Sequence, residues 1–191
     1  MMSRWAELIE LLRTGRRSVI FAEGLTDAEI ARAEERYEFH FPIDLREFLQ
    51  TALPWGFPFP DWRSEDMTVI REMMDLPLQG ILFDVVQNDF WLPEWGPRPE
   101  QIEDSIAIVE EQVRQDPRLI PIWSRRMMPD RPLDAGNPVL SVHQTDIIHY
   151  GFDLDDYFRN EFELPGRKPW PNQVRPIDFW DVDRWQDLRW N

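Results

Sequence analysis

Cysteine is missing from this chain altogether. Disulfides and thiolate metal sites are thereby excluded, and a reducing compartment fits. Lysine is nearly missing too: Lys168 stands alone beside twenty arginines, which reads as genomic bias before function. The histidines are only His40, His143 and His149, a thin supply of metal ligands with no H-x-x-x-H pair. Long apolar runs are lacking. Residues 1–20 interleave Arg4, Arg13, Arg16 and Arg17 with Glu7 and Glu10, so neither a signal peptide nor a span of ~20 apolar residues fits there. No membrane association is expected, and the default location is cytoplasmic. Positive charge is also short, with 21 basic against 36 acidic residues and a formal net of −15. Residues 61–117 hold fourteen acidic residues against four arginines, a net of −10. A field of that sign repels phosphate backbones, so no direct nucleic-acid binding is expected. It would steer a basic protein partner instead.

Tryptophan and proline are abundant, at ten and seventeen. Prolines imply long, shaped connections, and tryptophans supply large apolar anchors with a polar handle. A chain of 191 residues forms one domain, or one domain with a tail, and buries roughly 70% of its unfolded surface without staples.

The stretch from Leu25 to Gly56 organises the rest. Thr26 and Glu29 have capping-box spacing, and Leu25 with Ile30 are placed as a hydrophobic staple, so a helix starts there. A Phe41-Pro42 corner follows. Leu45, Phe48, Leu49 and Ala52 then recur at helical spacing on one face of a second helix. This pattern, with the paired Glu34 and Glu35 and the loop Gly56, resembles the N-terminal signature of the SUKH superfamily. Later apolar segments resemble that family's strands: Gly80–Val85, Leu119–Ile122 and Gly136–Val142. The likeness runs from about Leu25 to Phe162, and its specificity lies in the order of the motifs. Membership implies an α+β domain with a binding role. Many bacterial members are immunity proteins that neutralise toxin domains, often nucleases, while fungal relatives regulate cell-wall synthesis. The family carries no shared catalytic motif.

Taken in order, Ser3–Thr14 reads as an amphipathic helix with the stripe Trp5, Leu8, Ile9 and Leu12, stopped at Gly15. From Leu53 to Trp62, prolines alternate with aromatics, which forbids a helix and disfavours a central strand. Ser64 is placed to cap a short helix carrying Met67, Ile70 and Met74, and Gly80–Val86 has the continuous apolar pattern of a buried strand. Pro99 suits the first turn of a helix reaching Gln115, with Ile102, Ile106, Val109 and Val113 as its stripe. Leu119–Trp123 reads as a strand, Asp130–Asn137 as a loop, and Pro138–His143 with Ile147–Tyr150 as a hairpin around Gln144-Thr145. Asp153–Phe162 is a last short helix. Residues 1–163 thus form the α+β domain, with a largely antiparallel sheet flanked by helices. Residues 164–191 are a C-terminal extension: a Pro-rich connection and a tryptophan-rich helix, with Trp180, Trp185 and Leu188 near one face, expected to dock on the domain.

Ser141, His143 and Asp146 could be read as a hydrolytic triad, but adjacent residues on one strand face give poor triad geometry and no nucleophile elbow is present. A metal site would need His143, His149 and Asp146, yet a tight hairpin sets His149 opposite Leu140. Asp153-Leu154-Asp155-Asp156 lacks the glycine and distal glutamate of a calcium loop. Glu34 and Glu35 project about 100° apart on a helix and share no substrate. One suits a structural bond and the other solvent, with His40 as a corner residue. No catalytic residue, cofactor or metal is therefore expected.

The partner-binding candidates are Trp55, Phe57, Phe59, Asp61, Trp62, Glu65 and Asp66. Interfaces favour tryptophan anchors in a desolvated centre with charges on the rim. The expectation is a non-enzymatic binding module, an immunity-type protein whose partner is another protein such as a basic toxin domain. A housekeeping scaffold or regulatory adaptor is the alternative, and a metal-dependent hydrolase ranks below both.

Overall fold

Trp5, Leu8, Ile9 and Leu12 bury one face of α1 (Arg4–Thr14). The computed structural model describes residues 4–182 and Trp185. Strand β1 (Ile20–Glu23) leads to α2 (Asp27–Tyr37), whose start has both halves of the capping box. The Thr26 hydroxyl accepts from the Glu29 N–H at 3.2 Å, and the Glu29 carboxylate accepts from the Thr26 N–H at 2.8 Å. Leu25 and Ile30 are buried beside it, as the staple requires. Past the Phe41-Pro42 corner comes α3 (Ile43–Thr51), and the chain then enters β2 (Ala52–Trp55) without a loop. Ala52, at helical spacing in the sequence, is thus the first strand residue, and it is buried there. Strands β1 and β2 pair antiparallel as a separate two-stranded sheet, with Ile20 opposite Trp55.

The largest departure from the sequence reading is α4 (Thr68–Gln87), one 20-residue helix in place of a short helix followed by a strand. Gly80–Val86 is therefore helical. Pro77 removes one ladder donor, but burial holds both halves: Ile70 packs in one core, Ile81 and Val85 in the other. Asp84 binds the neighbouring hairpin, its carboxylate accepting from the Thr145 N–H at 2.9 Å and hydroxyl at 2.7 Å. Ser64 does not cap this helix; Asp66 does that work, accepting from the Thr68 N–H at 3.0 Å.

Helix α5 (Ile102–Gln115) begins three residues later than Pro99 suggests and buries Val109 and Ser105, with Ile102, Ile106 and Val113 half-buried. The main sheet is an antiparallel meander of β3 (Leu119–Trp123), β4 (Arg126–Pro129), β5 (Val139–His143) and β6 (Asp146–Gly151). Pro121 is tolerated because β3 is an edge. Leu140 faces His149 across the hairpin. Helix α6 (Leu154–Glu161) follows, with the Asp153 carboxylate accepting from the Asp156 N–H at 2.8 Å.

Side-chain alternation on the sheet feeds two cores. Ile120, Ile122 and Met128 join the residues of α1, α2, α3 and α6. Leu119, Met127, Leu140 and Val142 face the C-terminal half of α4, α5 and the tail. In the tail, Asp178–Trp180 form a 3₁₀ turn, and Phe179, Trp180 and Trp185 are buried in the second core. The Trp180 indole donates to the Pro117 carbonyl at 2.6 Å. The expected tail-helix position Leu188 lies outside the described residues.

Candidate functional site

Trp55 ends β2, and the other six candidate residues follow it on a loop that the sequence shapes turn by turn. Gly56 takes φ +96, a conformation glycine adopts without steric cost, and its carbonyl accepts from the Phe59 N–H at 3.0 Å. The Pro58 carbonyl accepts from Ser124 at 3.1 Å, which fastens the loop to the turn after β3. Phe59 stacks on Phe162 with centroids 6.2 Å apart. Two rings remain outside: Phe57 is 86% exposed and Trp55 50%.

Trp62 is not one of them. At 4% exposure it sits edge-on to Phe41, Phe39 and Tyr37, with centroids 5.1–5.8 Å away. It is a core residue because Arg63 pulls the chain inward beside it. The Arg63 guanidinium donates to Glu29 at 2.6 Å, to the Glu23 carbonyl at 2.9 Å and to the Gly24 carbonyl at 3.0 Å. The ring cannot anchor a partner, and it leaves the candidate set.

Trp55, Phe57, Phe59, Asp61 and Asp66 line an open cavity of about 310 Å³, together with Val69 of α4. Hydrogen bonds from the Thr68 hydroxyl and N–H hold the Asp66 carboxyl below its ordinary range, so it is ionised near neutrality. Glu65 is exposed beside it. The sequence missed two members of this face. Ile20, 71% exposed, is the register partner of Trp55, and Val69 is 47% exposed. Their signal, an apolar residue off the buried stripe, becomes visible only once β1 and α4 are in place.

The weaker chemical candidates fall elsewhere. The Ser141 hydroxyl accepts from Arg126 at 2.7 Å, while His143 is exposed and pairs across the turn with Asp146. Asp155 and Asp156 are buried against Arg159 and Arg167, each at 2.9 Å. Glu34 accepts from the Phe41 N–H at 3.0 Å and pairs with the exposed His40 at 3.4 Å, while Glu35 faces solvent. Among the described residues, no three histidine or carboxylate side chains are grouped to hold a metal ion, and no helix is long and apolar enough to cross a membrane. Compared with family models, with curated proteins and with solved structures, the chain matches none.

Proposed function

We propose that this protein is a non-enzymatic binding module of the immunity type, which neutralises a basic toxin domain by covering it. The observation that carries the reading is the exposed apolar face of Ile20, Trp55, Phe57 and Val69 beside the carboxylates of Asp61, Glu65 and Asp66. Exposed aromatics in a concavity are the residue types that dominate binding energy. Carboxylates on the rim set partner choice and association rate. Against a nuclease toxin, the class that the SUKH resemblance implies, these carboxylates occupy places otherwise taken by phosphates, and Trp55 and Phe57 lose water at the centre.

The test is growth rescue against a panel of basic nuclease toxin domains, paired with pull-down. Phe57→Ala weakens the cognate complex by about 2 kcal/mol or more. Reversing Asp61, Glu65 and Asp66 to arginine abolishes rescue. Rescue that survives both sets of changes removes this face from the account. Specific capture of a partner with no toxic activity favours a scaffold or adaptor that uses the same face.

A further inference from the structure

On the far side of α4, the chain gathers positive charge. Arg36 at the end of α2, Arg71 on α4 and Arg118 before β3 line an open cavity of about 300 Å³. Met74, Asp75 and Arg118 continue into a second hollow of about 400 Å³, whose walls include Pro77, Leu78, Val113 and Trp180. The two form one trench, with a cationic end and a mixed end where Glu110 and Arg114 stand beside the apolar wall. The first cavity has three guanidinium groups against two carboxylates, Glu38 and Asp75. Glu38 is already paired with Arg118 at 3.1 Å. An excess of positive charge is out of character for a chain of net −15.

The donors are unevenly used. Arg118 spends one nitrogen on the Tyr37 carbonyl at 2.8 Å, and Arg36 donates to the Ser64 carbonyl. Both are thereby held in place on the trench wall. Arg71 is exposed, and its guanidinium makes no hydrogen bond or ion pair with the described residues. Beneath them lies the buried Tyr37 side chain, whose hydroxyl the Arg36 and Arg71 guanidiniums both reach. Two fixed guanidiniums and one free one, converging on a hollow, suit a doubly charged oxyanion.

We propose that this trench binds a small phosphate ester, with its phosphate at Arg36, Arg71 and Arg118 and its apolar body over Pro77, Leu78 and the edge of Trp180. This site is separate from the aromatic face and does not depend on the toxin reading. Titration calorimetry of the full chain at low salt, with phenyl phosphate, inorganic phosphate and benzoate, tests it. Phenyl phosphate binds most tightly, inorganic phosphate more weakly for want of the apolar body, and benzoate most weakly for want of the second charge. Arg71→Gln weakens phenyl phosphate by about tenfold or more without changing the melting temperature, because the side chain holds nothing else. Arg32→Gln, on an exposed position of α2, leaves binding unchanged. Leu78→Asn removes the advantage of phenyl phosphate over inorganic phosphate. Absence of saturable phenyl phosphate binding overturns the proposal, as does binding that Arg71→Gln leaves intact. Benzoate binding as tight as phenyl phosphate overturns the phosphate assignment.

Discussion

Glu29 does two tasks with one carboxylate: it closes the capping box of α2 and holds Arg63, which positions the loop carrying Trp62. Those bonds, from Arg63 first and the Thr26 N–H second, lower its pKa from 4.5 to about 2. Taken whole, such a change amounts to about 3 kcal/mol. The side chain is 20% exposed and at a helix end, so solvent screening brings the contribution down to about 1–2 kcal/mol. Glu29→Gln keeps an acceptor for the cap and loses the ion pair, costing about 1 kcal/mol. Glu29→Ala loses both, costing about 2 kcal/mol, or roughly 4–8 °C in Tm. Because the folded-state pKa lies below the unfolded one, this stability is present above pH 4.5 and is lost as pH falls toward 2. Urea titrations of the wild type and Glu29→Gln at neutral pH and at about pH 3 measure it. By the linkage relation, most of the deficit is gone at the lower pH. A deficit that stays constant over that range would refute the ion-pair account and leave only a packing role for Glu29.

Trp62→Ala opens the first core and costs about 3–5 kcal/mol, whereas Trp55→Ala and Phe57→Ala each change stability by less than about 0.5 kcal/mol. Denaturant midpoints separate the core ring from the two surface rings. Burial raises the Asp44 and Asp130 carboxyls above their ordinary value, outweighing the hydrogen bonds and arginines beside them. Their penalty therefore grows as pH rises from 3.8 through the raised values, opposite in sign to Glu29. Asp130→Asn flattens the pH–stability curve there, which unfolding at a series of mildly acidic pH values checks. Gly80→Ala ought to help a helix by about 1 kcal/mol. Here the added Cβ meets the Gln144 backbone at 2.7 Å, so the variant loses about 1–3 kcal/mol instead, as read by thermal melting.

Gly80 also shows where sequence reasoning stopped. Pro77, Gly80 and the β-branched run after them are local signals for a break and a strand. They are overruled because the glycine lets α4 lie against the hairpin turn, and because Asp84 then reaches Thr145. Neither partner is near in sequence, and no periodicity encodes them. Helix α2 was legible for the opposite reason: its cap, staple and stripe all lie within about a dozen residues. Half of the binding face was legible on the same terms. Trp55, Phe57 and Asp66 announce themselves locally, but the fate of Trp62 was decided by Arg63 reaching Glu29, Glu23 and Gly24.

The acidic segment needs the same translation from line to space. Of its residues, Asp84 is buried and bonded to the hairpin, and Asp75 and Glu110 lie in the trench with arginines. Glu103, Asp104 and Glu111 are exposed on α5. Asp61 and Asp66 line the cavity of the aromatic face, and the exposed Glu65 lies between them in the chain. Charges beyond a Debye length, about 8 Å at physiological salt, are largely screened at the moment of contact. The segment therefore acts in two ways on a basic partner. Its total charge draws the partner in from a distance and weakens with salt, while the three neighbouring carboxylates and two exposed rings decide whether it stays. Composition counts the first contribution correctly, but only the positions of Ile20 and Val69 beside Trp55 and Phe57 define the second.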